Sequence, residues 1–229
     1  MRTNMCRAIT LLGLFFVLTS APARAQAPAA ARGVPAGPND ALSHYDRAMG
    51  HHRAGQYEEA VRGFERAVSL SPDFAEAHNN LGYAYYQLGK YEKAVEAFAR
   101  AYRLRPHAAA THSNLGRAYL ALGKDKEAFR HLAEALRLDP HDPLTHANLG
   151  VAYYKAKRYR EAAASFRQAV SLNGDFAEAR YNLGMAYLAL KEKGLALEQH
   201  RVLKALIPDL AKELLGSIYG DKVLVLTHK

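Results

Sequence analysis

Apolar and polar positions follow a helical period through most of the chain, broken at regular intervals by Gly and Pro. In one stretch Leu81, Ala84, Tyr85 and Leu88 recur three or four residues apart, which is one face of an α-helix. Gly89 then permits a turn, and Ala94, Phe98 and Ala101 form the facing stripe of a second helix. Pro106 cannot continue that helix and ends it. The pattern predicts a tight helix pair. Small residues at Gly82 and Ala94 allow close approach, and Leu, Tyr and Phe fill the remaining space.

The same block returns every 34 residues. His78-Asn-Asn-Leu-Gly-Tyr-Ala-Tyr85 recurs as His112-Ser-Asn-Leu-Gly-Arg-Ala-Tyr119, as His146-Ala-Asn-Leu-Gly-Val-Ala-Tyr153 and as Arg180-Tyr-Asn-Leu-Gly-Met-Ala-Tyr187. In the second halves, Ala60, Ala94, Ala128, Ala162 and Ala196 share one register position. Phe64, Phe98, Leu132, Phe166 and His200 share the next. Units close at Pro72, Pro106, Pro140, Gly174 and Pro208. Asp73 with Glu76 and Asp175 with Glu178 are expected to cap first helices, as is Asp142 before Pro143. Asp209 is expected to cap a last helix through Tyr219, with Leu210, Leu214, Leu215 and Ile218 on one stripe. One helix pair cannot bury its apolar face alone; stacked copies can, given a terminal cap.

These motifs resemble the tetratricopeptide repeat family, whose 34-residue helix-turn-helix signature they match over about residues 41–208. The resemblance implies an all-α fold, a right-handed α-solenoid of five helix-turn-helix repeats plus a C-terminal capping helix. The repeats are expected at 41–74, 75–108, 109–142, 143–176 and 177–208, with the cap at 209–219 and a tail at 220–229. The departures are specific. His44, His78, His112, His146 and Arg180 stand where the family usually has a bulky aromatic. Unit 1 reads Asp46-Arg47-Ala48 instead of Asn-Leu-Gly, Gly174 replaces the closing proline, and His200 replaces an aromatic. The β-prone tail segment Val223-Leu-Val-Leu-Thr227 either docks on the cap or stays unordered.

The first residues differ in kind. Arg2 and Arg7 precede an apolar run from Ala8 to Leu18, and Ala23-Arg24-Ala25 precedes Gln26. This pattern predicts a secretory signal peptide over 1–25, with a mature start at Gln26. The alternative is an uncleaved anchor, but the apolar run is shorter than the ~20 residues that span a bilayer. No stable membrane anchor is expected after cleavage. Residues 26–40, rich in Ala, Pro and Gly, read as a flexible linker. The only cysteine, Cys6, lies in the expected signal, which leaves no thiol for disulfides, catalysis or metal binding. The formal charge is +9, and three of its arginines leave with residues 1–25. The remaining basic residues are dispersed, so no nucleic-acid partner is expected. The composition and the signal together fit an exported protein, periplasmic or secreted, of a Gram-negative bacterium.

The chemistry is that of binding. Asn80, Asn114, Asn148 and Asn182 stand two residues before the glycine of their unit, away from the Leu/Ala/Tyr stripe. Family likeness implies that first helices line a concave groove and that asparagines in this slot hold an extended peptide. A primary amide both donates and accepts, which suits a peptide backbone of any sequence. The alternative is that each amide bonds within its repeat or faces water. Tyr45, Tyr83, Tyr86, Tyr154, Tyr181, Met185 and Leu188 are expected around this column. Arg53, Arg117 and Lys155 add positive charge, offset by Asp46, Glu76 and Glu178. The carboxylate clamp some family members use for chaperone tails is absent, with Tyr45, Met49, Ala110 and Asn114 in its slots.

His78, His112 and His146 form a column on adjacent first helices. Packed helices lie roughly 8–10 Å apart, too far for three ligands at about 2 Å from one ion. Structural packing is expected, with no metal or cofactor. No H-E-x-x-H, P-loop, G-x-S-x-G or G-x-G-x-x-G pattern occurs, so the reading is not an enzyme. The expected function is an exported scaffold that holds an extended peptide or partner protein in its groove, such as an adaptor in envelope or secretion-complex assembly. Two alternatives remain. One is a structural subunit that oligomerises through its convex face or cap helix; the other is a binder of an anionic envelope polymer.

Overall fold

The structure is a computed structural model and describes residues 40–220. The expected signal peptide, the linker up to residue 39, Cys6 and the tail from residue 221 lie outside the described residues. The described residues form eleven α-helices and no strands. They pair as α1 (Ala41–Arg53) with α2 (Tyr57–Leu70), α3 (Ala75–Gln87) with α4 (Tyr91–Leu104), and α5 (Ala109–Ala121) with α6 (Asp125–Leu138). Next come α7 (Pro143–Lys155) with α8 (Tyr159–Leu172) and α9 (Ala177–Ala189) with α10 (Lys193–Leu206). A final α11 spans Pro208–Tyr219. Each second helix packs on the first helix of the next pair, and α11 packs on α9 and α10. The chain is a solenoid of helix pairs with a terminal helix. None of the described helices is long and apolar enough to cross a membrane.

The core repeats with the sequence. Phe98, Leu132 and Phe166 are fully buried, each pressed on a glycine of its partner helix. A Cβ on Gly82 would lie 2.7 Å from Phe98 Cδ1, and one on Gly150 would lie 2.6 Å from Phe166. In the fifth unit, where the register offers His200, the space over Gly184 is filled from elsewhere. Leu214 of α11, fully buried, stands 2.7 Å from the position of a Gly184 Cβ. The terminal helix thus supplies the apolar group that its neighbouring repeat lacks.

The turns inside each pair use a left-handed residue. Lys90 N–H donates to the Tyr85 carbonyl at 2.9 Å and Gly89 N–H to Tyr86 at 3.0 Å, the crossed pair of bonds that closes many helices. Gly55, Gly89 and Gly123 adopt φ of 73°, 72° and 70° there. The fourth and fifth units place Lys157 (φ 60°) and Lys191 (φ 64°) at the same point.

Caps follow the expectation once. Asp142 accepts from the backbone of Leu144 at 3.3 Å and Thr145 at 2.9 Å. The other three carboxylates do not cap. Phe74 occupies the cap position of α3, Phe176 that of α9 and Ile207 that of α11, and none makes a side-chain cap bond. Asp73 instead accepts from the Ser71 hydroxyl at 2.6 Å, and Glu76 pairs with Arg105. The Asp175 backbone N–H donates to Asn173 at 3.1 Å, and Asp209 sits inside the first turn of α11. Burial explains the shift for Phe74, which is 1% exposed. Burying a Phe is worth about 1.5–3 kcal/mol against typically about 1 for a cap.

The histidine column has a structural use. Nε2 of His78, His112 and His146 each lies 3.0 Å from a proline carbonyl six residues earlier, at Pro72, Pro106 and Pro140. Arg180, in the same register, donates to the Gly174 carbonyl at 2.8 Å. This side chain ties the start of α3, α5, α7 and α9 back to the preceding loop.

Candidate peptide-binding groove

Successive first helices α3, α5, α7 and α9 touch one another, while second helices of neighbouring units make no comparable contact. The stack therefore curls with its first helices inside, and these line the concave face.

The four asparagines are not equivalent there. Asn80 Nδ2 donates to the Tyr45 hydroxyl at 2.8 Å, and Asn114 Nδ2 donates to Asn79 Oδ1 at 3.2 Å. Both bonds join successive first helices, so these two amide nitrogens are committed to stacking. Asn148 is buried, and its Nδ2 has no hydrogen-bond partner. Asn182 is half-buried.

Tyr83, Tyr86, Tyr154, Tyr181, Met185 and Leu188 are half-buried on these helices. Burial pushes the phenols of Tyr83, Tyr86, Tyr154 and Tyr181 up, so they remain protonated hydrogen-bonding groups at neutral pH. Tyr45 does not join them. It is buried, with ring centroids 4.8 Å from Phe74 and 5.6 Å from Phe64. Its hydroxyl is pushed up to about 12, by burial first and the Glu76 charge second. Its register is shared by Asn79, Ser113, Ala147 and Tyr181, and Ser113 and Ala147 are buried as well, so this position belongs to the packing between repeats, where Phe64 and Phe74 give Tyr45 aromatic neighbours.

Arg117 is not a surface charge either. It is 4% exposed, and none of its three guanidinium nitrogens has a hydrogen-bond partner. Its guanidinium carbon lies 4.3 Å from the Tyr86 ring centroid and 5.1 Å from that of Tyr83. The other face of this stack is His52, whose ring centroid is 4.9 Å from Tyr83 and 5.7 Å from Tyr57. Its buried Nε2 also lacks a partner, and burial holds its pKa below the usual histidine value. His52 lies outside the motif positions that repeat every 34 residues, and only its contact with Tyr83 of the next first helix marks it. Lys155 is engaged as well, donating to the Leu120 carbonyl at 2.8 Å. The first helices α1, α5 and α7 thus hold buried polar atoms without partners at His52, Arg117 and Asn148, and α9 adds the Nε of Arg180, whose other nitrogens are bonded. Such groups cost about 1–3 kcal/mol each, more when charged.

Family models agree with this architecture along nearly the whole described chain. A TPR repeat model matches residues 51–89. Tetratricopeptide repeat models match 73–141, 107–175 and 148–211. The chain belongs to the tetratricopeptide repeat family. Its fold is that of a protein–protein interaction scaffold, in a family generally without enzymatic activity. Among solved structures it is similar to TTC0263, a thermophilic TPR protein of Thermus thermophilus, at 25% identity and TM-score 0.69, covering 78% of this chain and 99% of that one. It also resembles a chain of the APC/C hetero-tetramer Cut9–Hcn1, at 24% identity and TM-score 0.74, over 81% of this chain and 37% of that one. A third is YrrB, a TPR protein with an unusual peptide-binding site, at 24% identity and TM-score 0.56, with 76% and 91% covered. No curated protein matches the chain.

Proposed function

We propose that this repeat protein is exported and that its concave face holds an extended segment of a partner protein. The observation that carries this reading is the set of partnerless buried groups on α1, α5 and α7, at His52, Arg117 and Asn148. A ligand that displaces the covering tyrosine side chains would supply the partners these buried groups lack, and the half-buried tyrosines would supply adaptable contact area. A family member described as having an unusual peptide-binding site is in keeping with this reading. Export rests on the pattern in residues 1–25, and a periplasmic adaptor in envelope or secretion-complex assembly is the role it suits.

The test is display selection of random peptides on the purified chain, repeated on the variant with His52→Ala, Arg117→Met and Asn148→Ala combined. Enrichment by the parent and its loss in a folded variant is expected; equal enrichment rejects the groove. Intact-mass measurement on the exported protein checks cleavage before Gln26.

A structural-subunit reading is favoured by one feature, the exposed Leu195, Val202 and Ile207 at the C-terminal end. Leu214 and Ile218 are buried inside the chain and cannot serve such an interface. Light scattering of the parent and of Val202→Lys separates a dimer through this end from a monomer.

A further inference from the structure

Among the described residues, no helix occupies the outer face of the first repeat, which has the form of a helix seat. In the inner repeats this face of each pair receives the second helix of the preceding unit. The Tyr85 hydroxyl donates a hydrogen bond to Glu65 of α2 at 2.5 Å. Tyr102 of α4 sets its ring 5.1 Å from His112 and 6.1 Å from His131. Phe129 of α6 packs 5.1 Å from Tyr153. The equivalent positions in the first repeat, 34 residues apart per unit, are His51 for Tyr85 and Tyr153, His44 for His112, and Gly63 for His131. No described helix covers them.

This face has changed chemistry rather than merely lost its neighbour. Leu81, Leu115, Leu149 and Leu183 share one register position, and there the first repeat carries Arg47. Tyr85, Tyr119, Tyr153 and Tyr187 share another, which the first repeat fills with His51. The groove between α1 and α2 is lined by His44, Arg47, His51, Arg62, Arg66 and Glu59. Its one carboxylate already pairs with Arg62 at 2.8 Å. Arg47 and Arg66 are exposed and have no ion-pair partner among the described residues. Solubility of a terminal repeat asks only for a polar surface, which mixed charges would satisfy. A seat with three arginines and one neutralised carboxylate selects a sign.

We infer that this seat docks an acidic α-helix of a partner protein, laid across α1 and α2 as α2 is laid across α3. Helical shape follows from the seat, and acidic character from its charge. Residues 1–39 of the chain contain no Asp or Glu, so its own leading segment is not the complement. The α10–α11 end of a second copy has at least as many basic as acidic residues, which argues against head-to-tail stacking. The seat lies outside the groove and does not depend on peptide capture there.

The test uses the full chain after signal removal and a fluorescent helical peptide with glutamates along one face. Its controls are a proline-interrupted peptide of the same composition, a lysine analogue and inorganic polyphosphate. Saturable binding of the helical peptide that weakens with salt is expected, with a loss of roughly tenfold or more in Arg47→Glu/Arg66→Glu. A smaller loss is expected in Arg47→Gln/Arg66→Gln. No binding by the parent, or equal binding by the charge-reversed variant, overturns the proposal. So does equal binding of the interrupted peptide or of polyphosphate, since either would indicate a site for negative charge without helical shape. Matching circular-dichroism melts of parent and variants establish that the comparison is between folded proteins.

Discussion

The Nδ1 atoms of His112 and His131 lie 3.1 Å apart in the buried centre of the third repeat. His112 Nε2 donates to the Pro106 carbonyl at 3.0 Å, so its Nδ1 accepts and His131 Nδ1 donates. His131 Nε2 then accepts from Arg130, at a long 3.4 Å. Tyr119 stacks on His131 at 5.5 Å and Tyr102 meets it edge-on at 6.1 Å. The bonding pattern closes only if His131 is neutral, because a proton on its Nε2 would face the Arg130 guanidinium. Burial first, then His112 and Arg130, push its pKa down to about 4. The folded value lies below the unfolded value of about 6.5. The neutral form therefore supports the fold fully above pH 6.5, and that support is lost as pH falls toward 4. Stability is expected to drop by on the order of 1–2 kcal/mol between pH 7 and 5 from this group. His131→Leu should flatten the decline in melts recorded against pH. Parallel curves for the two proteins would assign the acid sensitivity elsewhere.

The five units were legible because several register positions agree at once, and Phe98, Leu132 and Phe166 over their glycines are the physical content of that agreement. The cap at Asp142 was legible because Pro143 follows it. Asp73 and Asp175 misled because a capping pattern cannot reveal that the next residue, a phenylalanine, takes the cap position. The groove was legible only as a column of side chains. Whether Asn80 or Arg117 faces outward depends on the tyrosines of the preceding repeat, Tyr45 for the one and Tyr83 and Tyr86 for the other, contacts that helical periodicity within one unit does not encode. The same holds for Leu214, which serves a glycine in a different unit.

Lys157 and Lys191 occupy turn positions that glycine fills at 55, 89 and 123. A left-handed backbone costs a side-chain-bearing residue roughly 1–2 kcal/mol, partly offset by the greater unfolded-state freedom of glycine. Lys157→Gly and Lys191→Gly are each expected to stabilise the chain by about 0.5–1 kcal/mol. Gly89→Ala should destabilise by a similar amount. Urea midpoints measure all three, and a loss of stability in both lysine variants would count against strain at these turns.

Leu214 is the side chain that completes the fifth unit from α11. Leu214→Ala should cost about 3 kcal/mol, the usual scale for a fully buried leucine. Because each unit touches only its neighbours, the loss should concentrate in α9–α11. Hydrogen exchange is expected to quicken there while α1–α4 keep their protection. Uniform loss of protection across the chain would mean the solenoid unfolds as one block.

Arg117 is buried against Tyr83 and Tyr86, and its guanidinium makes no hydrogen bond of good geometry. The Tyr83 and Tyr86 rings contribute cation–π attraction of about 0.5–2 kcal/mol. The desolvation of an unpaired buried ion costs several kcal/mol. The second effect is larger. Arg117→Met keeps the apolar stem and removes the charge, so it is expected to raise stability by about 1 kcal/mol in denaturant melts. The same substitution should weaken capture of peptides selected on the parent, because the donors kept for a ligand are gone. The two readouts move in opposite directions only if the guanidinium is held for binding rather than for folding. A variant that is both less stable and unchanged in peptide capture would make Arg117 a packing residue and leave Asn148 and His52 as the remaining grounds for a ligand in the groove.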